Sequence, residues 1–200
     1  MDFPPFYAHI PRLRIRDPLA ELLGASAGGW LDYGFDDAVR LTGHACPTVA
    51  MAYALTVKGV GALYPDGDPV RGSLLAHFGS PPDEGTTGVV ASVVTLLTGA
   101  SGEGGFKGLG GRHVRRGRLQ FGADGPGFLL CRDDGGRVRL SAQLDRVPAH
   151  PRVGALLPRC VSGQASADER AEFAQRWQAR IEDLLVTHWQ DDALWQVTPA

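Results

Sequence analysis

Phe35-Asp36-Asp37-Ala38-Val39-Arg40-Leu41-Thr42-Gly43, then His44-Ala45-Cys46-Pro47, then Thr48-Val49-Ala50-Met51-Ala52-Tyr53-Ala54-Leu55 is the stretch on which the reading of this chain turns. The first piece has helical periodicity and stops at a glycine suited to a helix C-terminus. The last is an apolar run that opens on a proline, a residue favoured at the first helical position because its missing N–H is not needed there. A buried helix from Pro47 to about Lys58 is therefore expected, with Cys46 at or beside its N-cap and His44 in the loop before it. The unpaired amides and positive dipole end of such a helix favour negative charge beside Cys46. Inside a helix, residues two apart point to different faces, but in a loop entering a helix their side chains can converge. A thiolate with an imidazole is the donor pair that zinc accepts most readily. The plainer alternative is a buried cysteine at a helix start with a histidine capping backbone carbonyls.

Moving outward, 200 residues with 44% hydrophobic content fit one globular body with a substantial core. A formal net charge of −2, with 20 basic against 22 acidic side chains, argues against a nucleic-acid protein built around a large basic face. Small molecules or other subunits are the expected partners. The proline-broken start Asp2-Phe3-Pro4-Pro5 resembles no signal or transit peptide, and no apolar stretch reaches membrane-spanning length, so a cytoplasmic protein that does not enter the membrane is expected. Cys46, Cys131 and Cys160 are too few and too scattered for a disulfide framework, and no CxxC pair is present.

Along the chain, Pro18 to Leu23 reads as a short helix capped by Asp17 and closed by Gly24. Gly72 to Gly79 reads as a strand with His77 near its end, and Gly88 to Leu97 as a helix apolar all round, hence central. Glycine occupies six of the ten positions from Gly102 to Gly111, and Arg112 to Phe121 reads as a basic strand. Phe128 to Arg132 and Arg137 to Ser141 flank Asp133-Asp134-Gly135-Gly136, a hairpin signal. The simplest arrangement makes these last three segments adjacent antiparallel strands. Ser166-Ala167-Asp168-Glu169 is a capping box before a helix with Phe173, Trp177, Ile181, Leu184 and Leu185 on one face, running to about Trp189. Early helices, later strands and no βαβ alternation predict an α+β fold: helices on a small mixed, largely antiparallel sheet, with a C-terminal amphipathic helix.

The segment Phe35 to Pro47 resembles the helix and HGHxCPG signature of the FmdE-like proteins, a family named after a component of formylmethanofuran dehydrogenase. Val93-Val94-Thr95-Leu96-Leu97-Thr98-Gly99 with the glycine-rich segment, and Leu156-Leu157-Pro158 with Ser162 through Gln178, resemble later parts of that family in the same order, covering roughly residues 30 to 185. The resemblance implies an α+β fold and a metal, usually taken as zinc, held by the His44 and Cys46 of the signature. It divides the chain into an N-terminal extension with a short helix (1–29), a metal-binding domain (30–150) and a C-terminal helical segment (151–200). That last segment is expected to pack on the domain or on a second subunit, giving a homodimer. Thr42 replaces the signature's first histidine and Thr48 its glycine. The cysteine that many members carry ahead of the second apolar helix is missing, and Asp83-Glu84 stands in that region.

His77 and Asp83 are accordingly the expected additional metal ligands, and Glu84 either a ligand or the acid–base group. Fewer protein ligands than a closed shell needs would leave a position open to water or a small ligand, whose transformation or binding is the expected function. A non-catalytic metal- or cofactor-binding subunit is the alternative, and a Cys46 nucleophile with His44 as its base is a third reading. The glycine-rich loop matches neither the P-loop nor the dinucleotide fingerprint and reads as tight backbone. Lys107 and Arg112 would hold an anionic ligand if that loop folds over the metal. Arg112, Arg115, Arg116 and Arg118 otherwise read as a charged, solvated edge strand, and Cys131 as core.

Overall fold

The computed structural model describes residues 2–122 and 124–200. Its architecture is α+β, as the sequence predicts, with helices laid on one face of a five-stranded sheet. In chain order, β1 (Leu13–Arg16) and β2 (Trp30–Tyr33) form a separate antiparallel pair that encloses α1 (Pro18–Leu22). Then come α2 (Phe35–Thr42), α3 (Pro47–Leu63), β3 (Leu74–Phe78), α4 (Thr87–Thr98), β4 (Leu119–Phe121), β5 (Phe128–Arg132) and β6 (Arg137–Ala142). The chain finishes with α5 (Pro151–Val161), α6 (Ala167–Glu182) with a single wider turn at Asp183–Thr187, and β7 (Trp195–Pro199).

Helix α3 sits at the centre because almost every side of it is apolar. Val49, Ala50, Ala52, Tyr53, Ala54, Leu55, Val60 and Leu63 are all buried. It runs past the Lys58 expected from sequence and ends at Leu63, with Gly59 inside it. A Cβ at Gly59 would lie 2.6 Å from Cδ1 of Leu140 on β6 and 3.2 Å from Cδ1 of Leu130 on β5, so this glycine lets the helix press onto the sheet and does not end it.

The sheet order is β4-β3-β5-β6-β7. The β5–β6 hairpin forms as predicted, with Gly135 at φ +97° in its turn and Arg132 N donating to Gly136 O. The expected run of three adjacent antiparallel strands does not. β3 lies between β4 and β5, and β4 is parallel to it, with Ala76 beside Leu119 and Phe78 beside Phe121. Residues 112–118 form no strand, because the backbone there turns back on itself, Leu109 and Arg112 exchanging bonds and Arg115 N donating to Phe106 O. That turn drives Arg115 inward, where 6% of it stays exposed.

Asp17 is what Arg115 meets. Its Oδ1 accepts from the Leu19 amide at 2.9 Å, as the predicted cap of α1, and also from Arg115 Nη2 at 2.6 Å, while Oδ2 accepts from Arg71 Nη1 at 2.9 Å. Arg71 in turn donates to Leu96 O at the C-terminal end of α4, so one buried carboxylate joins the N-terminal hairpin to α4 and the glycine-rich segment. Burial alone would push the Asp17 carboxyl up, but the Arg71 hydrogen bond, the Arg115 charge and the Leu19 amide outweigh it and hold the group below its ordinary value.

Helix α6 carries its predicted capping box, Ser166 Oγ accepting from Glu169 N and Glu169 Oε2 from Ser166 N. Part of its apolar stripe packs within the chain: Ile181, Leu184 and Leu185 are fully buried and Arg180 donates to Val147 O, while Phe173 and Trp177 are half-buried. One hydrophobic cluster extends from Phe6 to Trp195, so residues 1–29 and 151–200 contribute to the same core as the middle of the chain. Among the described residues no helix is long and apolar enough to cross a membrane.

Two measurements follow from this packing. Gly59→Ala is expected to cost about 1–3 kcal/mol in urea unfolding by overpacking against Leu140, whereas Gly61→Ala, with open space around it, should be neutral or stabilise by up to about 1 kcal/mol. Asp17→Ala should cost about 3–5 kcal/mol, since two guanidiniums lose their shared partner. Because the Asp17 value is depressed on folding, its contribution is present above the ordinary carboxylate range and is lost as pH falls through the folded value; Asp17→Asn should flatten that acid limb.

Candidate functional site

The His44–Cys46 turn is built by the ends of two helices. Gly43, at φ +76°, closes α2 by donating to Val39 O, a left-handed position that glycine adopts without strain. Thr42 Oγ1 lies 2.9 Å from both Ala38 O and His44 O and donates to them by turns, so this hydroxyl serves the backbone. His44 Nδ1 lies 2.9 Å from Thr42 O. A carbonyl only accepts, so Nδ1 carries the hydrogen and the neutral ring keeps its lone pair on Nε2. The histidine does touch a backbone carbonyl, as the plainer sequence reading has it, and the same bond is what fixes the tautomer of a metal-binding imidazole.

Cys46 is the N-cap of α3, in extended backbone (φ −141°, ψ 166°), half-buried, with no side-chain cap bond, and Pro47 follows at the first helical position. The turn is held from outside by α6, whose Trp177 Nε1 donates to Ala45 O at 2.7 Å. None of the three cysteines is paired.

The remaining expected ligands do not join this pair. β3 alternates, with Leu74, Ala76 and Phe78 buried toward the helices and Leu75 and His77 on the other face, so the sheet itself stands between His77 and α3. Asp83 and Glu84 are exposed on the loop that leads into α4, where Glu84 Oε1 accepts from Ser80 Oγ at 3.2 Å. Among the described residues no group of three or more His, Cys, Asp or Glu side chains comes together to hold a metal ion. The four-ligand set of His44, Cys46, His77 and Asp83 is therefore not assembled among the described residues.

A cavity of about 380 Å³ lies against the N-terminal half of α3, and neither His44 nor Cys46 is among its lining residues. Met51 and Leu55, roughly one and a half and two and a half turns beyond Cys46 and on the side of the helix away from it, form one wall. Phe78 and Phe128, stacked with centroids 4.9 Å apart, form another with Val90. Hydroxyls of Ser80, Thr86, Thr87 and Ser141 and the amides of Gln143 and Gln196 supply the polar contacts, and no charged side chain is among the described lining residues. Glu84 is not among the cavity's lining residues. The cavity draws on six separate chain segments, so no local pattern announces it.

A second cavity, of about 320 Å³, lies at the opposite end of the sheet, where β3 begins and α4 ends. Arg71, Arg112, His113, Arg115 and Arg118 line it. Arg112 thus lines a cavity with other arginines, away from the His44–Cys46 turn, and Lys107 is exposed and absent from the lining. The condition set for Lys107 and Arg112, a glycine-rich loop folded over the His44–Cys46 turn, is not met: the length of α3, about 25 Å, separates the two ends. The four arginines are not a solvated edge strand either. Arg116 pairs with Glu103 and Arg118 with Asp133 at the surface, and Arg115 is buried. Cys131 is half-buried on the outer sheet face, where burial pushes its thiol up.

Trp177→Phe removes the indole donor to Ala45 O and is expected to cost about 1 kcal/mol in unfolding and to speed alkylation of Cys46 while leaving Cys160 unaffected, as read by mass spectrometry of iodoacetamide-labelled peptides. Among protein-family models and curated proteins, none matches this chain.

Proposed function

We propose that this chain is a metal-binding protein, similar in kind to the FmdE-like family its signature resembles, in which His44 and Cys46 are the chain's own donors to a zinc ion and a separate cavity against the same helix takes a small uncharged ligand. The observation that carries the proposal is the Nδ1 contact of His44 with Thr42 O, which presets Nε2 as a free, exposed donor two residues before an uncapped helix N-terminus bearing a cysteine. With two protein donors the rest of the shell comes from water, from the ligand or from a second protein chain. Bound there, zinc supplies Lewis acidity toward a water or a carbonyl oxygen.

What the chain itself contributes is placement. Met51, Leu55, Phe78 and Phe128 give an apolar seat, and the ring of hydroxyls and amides orients a ligand by hydrogen bonds without demanding charge. An uncharged cavity with no carboxylate in it also fits a carrier or cofactor-binding subunit, the alternative to catalysis.

Metal analysis of the purified chain after incubation with zinc and desalting decides the matter. One zinc per chain is expected, lost in both His44→Ala and Cys46→Ser while His77→Ala keeps it. A metal-free protein whose Cys46 alkylates more slowly in His44→Ala would contradict the proposal and support a nucleophilic thiol instead.

A further inference from the structure

The cavity at the far end of the sheet has a charge imbalance that the fold does not resolve. Arg71, Arg112, Arg115 and Arg118 bring four positive charges to it, against two negative ones from Asp17 beneath and Asp133 at the rim, a surplus of two. Part of the surplus is buried. The side chain of Arg115 is 8% exposed and shares the single carboxylate of Asp17 with Arg71. Its Nη1 has no acceptor and is closed off from solvent above Gly72, where any Cβ would overlap it. Gly72 (φ +88°) and Gly99 (φ +75°) are the positions that make room for this guanidinium. Burial pushes Arg115 below its ordinary value; the Asp17 charge opposes this and the Arg71 charge adds to it. A buried ion triad with one carboxylate for two guanidiniums costs stability unless further negative charge approaches it.

The opening of the cavity is arranged to admit such charge. Arg112 is exposed and its side chain has no partner among the described residues. His113 is the one non-glycine residue among them with positive φ, at +58°, and it lines the same opening. Strain of this kind costs about 1–3 kcal/mol and persists where surrounding structure, often at a binding site, enforces it. Arg118 is paired with both oxygens of Asp133, at 2.9 and 3.2 Å, so its charge at the rim is partly neutralised by a carboxylate that competes with any anion.

We infer that this cavity binds a phosphoryl group, carried as inorganic phosphate or as the phosphate of a small organic monoester. A dianion matches the surplus of two charges, where a single carboxylate would neutralise half of it, and guanidinium donors suit phosphate oxygens geometrically. The volume of about 320 Å³ leaves room for a small organic group beyond the phosphate. The site is independent of the metal-binding proposal, since it lies at the other end of α3.

Calorimetric titration of the full chain tests this, with inorganic phosphate and glycerol 3-phosphate as probes and sodium chloride at matched ionic strength as the blank. Saturable binding of at least one probe is expected; tighter binding of glycerol 3-phosphate assigns an organic monoester, and equal or weaker binding assigns free phosphate. Arg112→Ala should weaken binding about tenfold with an unchanged unfolding midpoint in the absence of phosphate. Asp133→Asn removes a competing carboxylate and should tighten binding roughly threefold, a gain that misfolding does not produce. Neither probe binding better than chloride, Arg112→Ala binding as tightly as the unaltered chain, or weaker binding by Asp133→Asn would each overturn the assignment.

Discussion

The close approach of α3 to β5 and β6 sets where both cavities lie. With no side chain at Gly59, the helix rests directly on Leu140 and Leu130, and its remaining faces are filled by α2, α4 and the chain's C-terminal elements. A rod about 25 Å long held in this way has two ends that cannot move independently. One end presents Cys46 as its N-cap and, further in, the wall of the uncharged cavity. The other end leads through Tyr64, whose hydroxyl meets Ser73 Oγ at 3.0 Å, to the arginine-lined cavity.

The two ends differ in how they handle polar groups. At the N-terminal end the backbone is satisfied locally: Gly43 closes α2, Thr42 serves two carbonyls, and Trp177 reaches in for Ala45 O, which leaves Nε2 of His44 and Sγ of Cys46 uncommitted. At the far end the polar groups are charged and partly buried, and Asp17 is shared among a helix cap and two guanidiniums. The first arrangement exposes donors with lone pairs and suits a cation. The second concentrates positive charge and suits an anion.

Much of the fold was legible where the signal is local. Asp17 before Pro18, Gly43, Pro47, the Ser166–Glu169 box and the Asp133–Gly136 turn each announce an element boundary through one residue's backbone preference or capping chemistry. The parallel pairing of β3 with β4, the addition of β7 to the sheet and the β1–β2 pair are contacts between distant segments and left no local mark. Helix α5, with a proline inside it at Pro158, has a composition that argues against its own existence, and burial of Val153 and Leu156 holds it in place. Around the candidate site, the placement of Cys46 at the N-cap and His44 in the preceding turn was legible from Gly43 and Pro47. His77 was misplaced because strand parity decides its face, and Arg115 because its partner is 98 residues away.

The most direct test of the account is the tautomer of His44. In ¹⁵N–¹H correlation spectra of the metal-free chain, at a pH where the ring is neutral, the hydrogen is expected on Nδ1, bonded to Thr42 O, with an unprotonated Nε2. One equivalent of zinc should then shift the Nε2 resonance in the unaltered chain and leave it unmoved in Cys46→Ser. A ring protonated on Nε2, or an Nε2 signal indifferent to zinc, would contradict the account.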